Sequence, residues 1–191
     1  MKSLLVLDGS LNGKSGNTAG VVDALLALLP NDFKIDYIEL KDIPDCLTLE
    51  DKLRNADGFI LASGTYWQSW GSPMQRFFEQ ATPWEATDIW LGKPACTIVT
   101  MHSIGGMEVM GRIQSNLALF GAFIPPLCSI VHSHVNQMAA ASGEKNYDIW
   151  DLDYLPTIAH NLVAAINGTF DYQPWEVDQG ETVTGKWLKN T

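Results

Sequence analysis

The sequence predicts a doubly wound α/β fold, a three-layer sandwich in which a parallel sheet lies between two layers of helices. Two observations lead to this prediction. The predicted strands are short and almost wholly apolar, as they are in sheets buried on both faces. Segments with helical periodicity separate these strands, which is the arrangement of β-α-β units. With 191 residues, the chain has room for a single domain of this kind.

Three strands are predicted in the first half of the chain. Residues 2–8 form an apolar run that ends in a turn rich in Gly, Ser and Asn, and residues 17–29 continue with apolar residues at helical spacing. Residues 33–40 alternate between apolar and polar side chains, which is typical of a half-exposed edge strand. Residues 58–63 form a second buried strand, and the next helix is expected to begin near Ser72, because Ser caps helices well and Pro73 suits the first turn.

The second half supplies the remaining elements. Residues 95–101 are apolar throughout, and a helix is expected over residues 107–120. Residues 122–131 are expected to form the fifth strand, at a sheet edge or bulge, because Pro125 and Pro126 cannot donate to a ladder. A last helix is expected at about residues 155–166. Five strands with the second at an edge favour the order 2-1-3-4-5. We therefore expect one domain at residues 1–168 and an irregular tail at residues 169–191.

Composition and charge argue against several classes of protein. The 12 Lys and Arg against 22 Asp and Glu give a net charge of −10, which repels polyanions, so no nucleic-acid partner is expected. The longest charge-free stretch has an apolar part shorter than the roughly 18 residues of a spanning helix, so no membrane partner is expected either. The apolar run after Lys2 is too short for a secretory signal. Three cysteines without a C-x-x-C pair suit reduced thiols, and a cytoplasmic location is expected.

The loop after the first predicted strand has the composition of a phosphate-binding loop. It combines hydroxyl and amide side chains with glycines immediately before a helix, where backbone N–H groups and the helix dipole favour an anion. The candidate phosphate-binding residues are Ser10, Asn12, Ser15, Gly16, Asn17 and Thr18.

Two well-known phosphate motifs fail to match this loop. A P-loop requires glycine where the chain has Asp8, whose carboxylate would face the phosphates of a nucleotide. The dinucleotide fingerprint G-x-G-x-x-G fails because the glycines stand at Gly9, Gly13 and Gly16. The sequence therefore argues against a P-loop NTPase and against a dinucleotide-fingerprint dehydrogenase.

Two further loops follow the third and fourth predicted strands, at the same edge of the sheet. The first contains Tyr66, Trp67 and Trp70, which suit the face of a flat heteroaromatic ring. The second contains His102 and a Gly-Gly turn at a helix start, where backbone donors could stabilise negative charge on a bound ring during reduction. Together the three loops predict a site for a ring that carries a phosphate.

In these loops the sequence resembles the flavodoxin-like NAD(P)H-dependent FMN and quinone reductases. The resemblance covers about residues 2–131 and depends on the order and spacing of three motifs. The first two resemble G-S-x(4-5)-G-N-T and S-P-x-Y-x(5)-S-x(3)-[KR]-x-F, and the third resembles T-x(4)-G-G-x-E. The matching residues are Gly9, Ser10, Gly16, Asn17 and Thr18, then Ser63, Tyr66, Ser72, Arg76 and Phe78, then Thr100, Gly105, Gly106 and Glu108, with Gly121 before the last strand.

This resemblance implies a flavodoxin-like fold, FMN as cofactor and NAD(P)H as co-substrate. Electrons would pass through FMN to a quinone, a flavin or a similar small acceptor, with no metal involved. The FMN phosphate would lie on the first loop, and the ring between residues 65–68 and 102–106, with His102 and Tyr66 as the catalytic candidates. The implied ring contacts are Thr65, Tyr66, Trp67, Gln68, His102, Ser103, Gly105 and Gly106.

The chain also departs from the family pattern. Gly64 replaces the usual proline, which we expect to loosen that turn, and Glu79-Gln80 replaces an Asp-Arg pair that forms a subunit contact in many relatives. A homodimer or homotetramer is nevertheless expected, because the chain has more tryptophans than a core of this size requires. The tryptophans expected at subunit contacts are Trp84, Trp90, Trp150, Trp175 and Trp187.

Three alternatives stay open at this point. A flavodoxin-type FMN electron carrier is mildly favoured by the negative charge, because acidic carriers dock on basic partners. A serine hydrolase would use Ser103 as nucleophile and His160 as base, although Met101 stands where the nucleophile turn needs glycine. His132 and His134 could bind a metal with Cys128, but without an evident fourth ligand a solvated strand end is favoured.

Overall fold

The structure, a computed structural model, describes residues 1–142 and 152–174. Five parallel strands form one sheet in the order β2-β1-β3-β4-β5, which confirms the predicted fold class and strand order. The strands are Ser3–Asp8 (β1), Lys34–Glu39 (β2), Gly58–Gly64 (β3), Ala95–Met101 (β4) and Ser129–Ser133 (β5). The helices are Asn17–Leu26 (α1), Glu50–Asn55 (α2), Ser72–Gln80 (α3), Gly106–Phe120 (α4), His134–Ala141 (α5) and Leu155–Asn167 (α6).

Each face of the sheet packs on its own hydrophobic core, because successive side chains of a strand point to opposite faces. Leu4 and Val6 of β1 belong to the core under α1 and α6. Leu5 and Leu7 belong to the core under α2, α3 and α4. The sheet is therefore buried on both sides, which explains the apolar runs that predict its strands.

The two tryptophans expected at subunit contacts within the described residues lie in the core instead. Trp84 and Trp90 are 4% and 0% exposed. The Trp90 ring packs against Phe59 at a centroid distance of 4.6 Å and against Phe120 at 5.6 Å. Their assignment to subunit contacts is therefore wrong, and Trp150, Trp175 and Trp187 lie outside the described residues.

The fifth strand begins later than predicted. It spans Ser129–Ser133 rather than residues 122–131, because Pro125 and Pro126 lack the N–H groups that a ladder needs. The chain before these prolines still touches the sheet, since Ala95 N donates to the carbonyl of Phe123 at 2.8 Å. Helices α2 and α5 were not predicted, and α1 ends at Leu26 rather than at residue 29. No helix in the described part of the chain has the length and apolar character to cross a membrane.

Asn161 of α6 fastens the segment that follows this helix. Its side chain is 0% exposed. The amide nitrogen donates to the carbonyls of Pro126 at 3.1 Å and Gln173 at 3.0 Å, and Oδ1 accepts from Gln173 N at 2.7 Å. One buried amide therefore joins α6 both to the turn before β5 and to residues 169–174.

Replacement of Asn161 by alanine is expected to lower the free energy of unfolding by about 1–3 kcal/mol, because the hydrogen bonds of a buried side-chain amide would be lost. Urea denaturation followed by circular dichroism measures this change. Asn167→Ala, at the exposed end of the same helix, is the matched control and should change stability by less than about 0.5 kcal/mol. Equal effects of the two substitutions would contradict the role given to Asn161.

Candidate functional site

A cavity of about 550 Å³ opens at the carboxyl ends of four strands. In doubly wound sheets this edge is where ligands bind. The cavity is lined by the loop after β1 and the first turns of α1, by residues after β3 and β4, and by residues at the end of β5 and in α5. The lining residues are Ser10, Asn12, Gly16, Asn17, Thr18, Gly20, Val21, Gly64, Thr65, Tyr66, Thr100, Met101, His102, His132, His134, Gln137 and Leu152.

The cavity brings together eight of the residues proposed from sequence. They are Ser10, Asn12, Gly16, Asn17, Thr18, Thr65, Tyr66 and His102. The other six lie in the same loops but do not line this cavity: Ser15, Trp67, Gln68, Ser103, Gly105 and Gly106. The phosphate-loop residues and the ring-loop residues thus meet around one space, while the tips of the ring loops flank it.

The first loop holds a buried hydroxyl group without a partner. Ser10 is 2% exposed and lines the cavity, and its Oγ has no hydrogen-bond partner among the described residues. Leaving such a group unpaired is costly, so it marks a place where a ligand can supply the partner. Nearby, Thr18 Oγ1 and Thr100 Oγ1 lie 2.7 Å apart in a hydrogen bond that links α1 to the end of β4.

Asp8, the last residue of β1, holds the start of this loop through a hydrogen bond. Its carboxyl group is fully buried and accepts from Ser10 N at 2.9 Å and from the Tyr37 hydroxyl at 2.8 Å. Burial of Tyr37 and the adjacent Asp8 acceptor raise the pKa of Tyr37 well above its ordinary value, so the phenol keeps its proton and donates it. Asp8 is therefore occupied by protein donors and does not line the cavity.

The loop after β3 forms a two-residue turn. Tyr66 N donates to Ser69 O at 2.7 Å, and Ser69 N donates to Tyr66 O at 3.0 Å. Between them, Trp67 and Gln68 have φ angles of +49° and +62°, as in the primed turns that close hairpins. Bulky side chains adopt positive φ rarely and at a cost, and the Trp67 side chain is fully exposed at the tip.

Tyr66 links this turn to the phosphate loop. Its hydroxyl oxygen accepts from Leu11 N at 3.0 Å. Its ring lies across Gly64, where an added Cβ would come within 3.0 Å of the hydroxyl oxygen and 3.1 Å of Cζ. This contact explains why the chain has glycine instead of the family proline, and the turn is held closed by Gly71 N donating to Ser63 Oγ at 3.0 Å.

The loop after β4 approaches the turn closely at Gly105. This residue precedes α4 with a φ of +88°, and a Cβ here would lie 3.2 Å from the Cα of Gln68 and 3.3 Å from Cγ2 of Thr65. Only glycine therefore allows the two loops this separation. The next amide, Gly106 N, donates to Met101 Sδ at 3.3 Å, so it is already engaged within the protein.

Some motif residues support the site from a distance. Arg76 on α3 donates from its guanidinium group to the carbonyls of Leu40 at 2.6 Å and Ile43 at 2.9 Å. It thus fastens the segment after β2 and does not line the cavity. The basic residue of the second motif therefore has a structural role here, because it holds the segment after β2 in place.

Sequence reasoning did not assign His132, His134 and Gln137 to this cavity. His132 and His134 were considered only as metal ligands or as a solvated strand end, and Gln137 was not considered. The available signal was the strand order, because β5 lies beside β4 and its carboxyl end must reach the same edge. No cluster of three metal-ligating side chains occurs among the described residues.

The hydrolase alternative loses its geometric basis in this structure. Neither Ser103 nor His160 lines the cavity. His160 Nε2 instead lies 2.6 Å from the backbone carbonyl of Asp171, in the segment after α6. The histidine is thus engaged in holding that segment.

Comparisons with known proteins agree with this geometry. Residues 2–137 match the sequence model of a family described as NADPH-dependent FMN reductase, whereas no curated protein sequence matches the chain. Among solved structures, RosB with the bound intermediate 8-demethyl-8-formylriboflavin-5'-phosphate is 14% identical with a TM-score of 0.73, and the alignment covers 88% of this chain and 80% of that one.

Two further structures are similar along most of their length. FerB, a flavoenzyme NAD(P)H:(acceptor) oxidoreductase from Paracoccus denitrificans, is 19% identical with a TM-score of 0.62, and the alignment covers 87% of this chain and 96% of FerB. A flavodoxin from the domain Archaea is 14% identical with a TM-score of 0.57, and the alignment covers 87% of this chain and 99% of the flavodoxin. At these identities the likeness shows a shared flavodoxin-like fold.

Two glycines of the same region predict opposite effects on stability. Gly105→Ala is expected to lower the free energy of unfolding by about 1–2 kcal/mol, since alanine disfavours its positive φ and would press on the turn after β3. Gly111→Ala, within α4 and with open space where the new Cβ would lie, should raise the free energy of unfolding by about 0.5–1 kcal/mol. Urea denaturation measures both changes, and destabilisation by both would contradict the role given to Gly105.

Proposed function

The chain belongs to the NADPH-dependent FMN reductase family, and from this premise we propose that it passes electrons from NAD(P)H through bound FMN to a small acceptor. The family resemblance inferred from the three motifs is thus confirmed, as is the flavodoxin-like fold. We propose a quinone, a flavin or a similar small molecule as the acceptor.

The observation that supports FMN most directly is the unpartnered Ser10 hydroxyl in the loop between β1 and α1. It is buried and it lines the cavity together with Asn17 and Thr18, the first residues of α1, where the helix N-terminus favours an anion. Asn12, Asn17 and Thr18 add neutral donors around the same space. This donor set fits a phosphate group, and we propose that these residues, with Gly16 and the flanking Ser15, hold the FMN phosphate.

The ring of FMN would be held by the loops after β3 and β4. Thr65 supports this placement, because its Oγ1 is buried without a partner among the described residues. Tyr66 and His102 line the cavity and supply a ring face and an imidazole. Trp67, Gln68, Ser103, Gly105 and Gly106 are proposed to border the ring from the loop tips that flank the cavity.

Bound flavin would supply the redox chemistry, accepting hydride from the nicotinamide cofactor and giving electrons to the acceptor. The protein's task is to bind, to orient and to stabilise charge. We propose that His102 and the nearby backbone amides stabilise negative charge at the edge of the reduced ring. Tyr66, fixed by its hydrogen bond to Leu11, would set the position of the ring relative to the phosphate loop.

Several finer features belong to the same proposal. The homodimer or homotetramer expected from the number of tryptophans remains part of the proposal. A cytoplasmic location agrees with three buried cysteines that form no disulfide. If NAD(P)H and the acceptor use the same space in turn, the kinetics should be of the ping-pong type.

A flavodoxin-type electron carrier is the second candidate, favoured by the net charge of −10. Such a protein would bind FMN without oxidising NAD(P)H. The test is therefore to purify the protein, record its visible spectrum, identify the flavin released on denaturation, and follow NADH and NADPH oxidation with a quinone. Bound FMN with turnover supports the reductase, bound FMN without turnover supports the carrier, and failure to take up added FMN contradicts both.

Ser10→Ala is expected to affect binding and stability in opposite directions. The FMN affinity should fall about tenfold, as expected when one hydrogen bond of roughly 1.4 kcal/mol to a charged phosphate is lost. The flavin-free protein should gain up to about 1 kcal/mol in stability, because a buried unpaired hydroxyl group is removed. Riboflavin, which lacks the phosphate, should bind both proteins equally.

Flavin fluorescence measures the affinities, and urea denaturation measures the stability. Ser115→Ala, an exposed position on α4, is the control and should leave the FMN affinity unchanged. An equal loss of FMN and riboflavin affinity in Ser10→Ala would contradict the assignment of Ser10 to the phosphate.

A further inference from the structure

The cavity has an unusual charge distribution for a phosphate site. None of its described lining residues is Asp, Glu, Lys or Arg, and its ionisable side chains are Tyr66, His102, His132 and His134. A phosphate monoester carries a charge of about −1.5 to −2 at pH 7. A helix N-terminus offsets only about half a charge. Among the described lining residues, the histidines are therefore the side chains that can carry a full positive charge.

The strand register places His132 beside the phosphate loop. His132 is the partner of Thr100 in the parallel ladder between β4 and β5. Thr100 Oγ1 in turn lies 2.7 Å from Thr18 Oγ1. Two residues earlier, Ile98 and Ile130 are also ladder partners, and both pack in the core under α1 and α6. Because a strand repeats every two residues, His132 and Thr100 lie on the same face, toward α1.

The hydrogen bonding of His132 is incomplete. Its Nε2 lies 3.4 Å from the side-chain oxygen of Gln137, whereas Nδ1 is buried and has no partner among the described residues. If Nε2 carries the proton that faces Gln137, protonation at Nδ1 produces a buried N–H donor that needs an anionic acceptor. The Nδ1–H group of the protonated ring therefore lacks a hydrogen-bond acceptor, and a phosphate oxygen can supply one.

The junction of β5 and α5, next to His132, is held to the loop after β4 by hydrogen bonds. Val135 N and Ser133 Oγ donate to the carbonyl of His102, at 2.9 and 3.3 Å. The ring of His134 lies 5.6 Å from that of His102. The backbone segments that carry the three histidines are thus joined along one wall of the cavity.

We propose that His132 is the cationic residue of the phosphate subsite and takes up a proton from solvent when the phosphate group binds. The proposal rests on the proposed function, since the phosphate is taken to be that of FMN.

The sign of the pH dependence follows from the charges around His132. The other ionisable side chains that line the cavity are Tyr66, His102 and His134. The elements that supply further lining residues add Asp23 on α1, and Asp153 and Tyr154 on the turn Leu152–Tyr154. Asp23 and Asp153 are exposed, so solvent screens their charges. A phosphate anion attracts a protonated imidazole, so binding of the phosphate and uptake of the proton favour each other. FMN affinity should therefore fall as pH rises through the histidine range.

Calorimetry of the flavin-free protein counts the protons directly. Binding at pH 7.5 is measured in two buffers with different ionisation enthalpies, because the FMN phosphate, with a second pKa near 6, is then already fully ionised. We expect uptake of about half a proton to one proton with FMN and none with riboflavin. His132→Gln should abolish the uptake and weaken FMN about tenfold at pH 6. His160→Gln, outside the cavity, is the matched control and should behave as the wild type.

The outcomes separate a failure of the proposed function from a failure of the role given to His132. If neither flavin binds, the proposed function is wrong and this inference fails with it. If both flavins bind without proton uptake, only the role of His132 is overturned. If proton uptake persists in His132→Gln and disappears in His134→Gln, the charge belongs to His134, and the role given to His132 is wrong. If His132→Gln does not fold, NMR titration of the histidine C–H resonances of the wild type, with and without FMN, tests the same proton uptake.

Discussion

The parallel ladder is the constraint on which the other features of this site depend. Hydrogen bonds between β1, β3, β4 and β5 align the carboxyl ends of four strands at one edge of the sheet. The loops that leave these ends are far apart in sequence, from residue 9 to residue 134, yet they border one cavity. The register also decides which side chains are neighbours, as for Thr100 and His132. The apolar cores on both faces hold this alignment, because each strand is anchored on both sides.

Buried polar side chains then give the loops their shape. Asp8, Ser63 and Arg76 all lie outside the cavity, and each binds backbone groups that a loop would otherwise leave unpaired. The Ser10 and Thr65 hydroxyl groups differ, because they are buried without described partners. This contrast separates residues that build the site from residues that are free to meet a ligand. It also explains why a motif shared with a family can include residues of both kinds.

Much of this arrangement could be predicted from the sequence. Apolar runs and helical spacing predict the sheet and its order, because local periodicity reports burial. The fifth strand was misplaced, since Ala122 and its apolar neighbours before Pro125 look like a strand but cannot form a full ladder. His132 and Gln137 could not be assigned to the site, because their place depends on the register of β5 and on an unpredicted helix. The positive φ angles of Trp67 and Gln68 have no signature in residue type, since neither residue prefers that conformation.

The edge strand β2 has a consequence for how copies of this chain can meet. An exposed edge offers unpaired backbone groups to any other strand, and natural proteins guard such edges with charge. Here Lys34 and Asp36 place charges along the strand, and Asp36 pairs with Lys52 of α2 at 3.3 Å. Tyr37 is meanwhile held inward by Asp8. Sheet extension from β2 into fibrillar aggregates is therefore disfavoured.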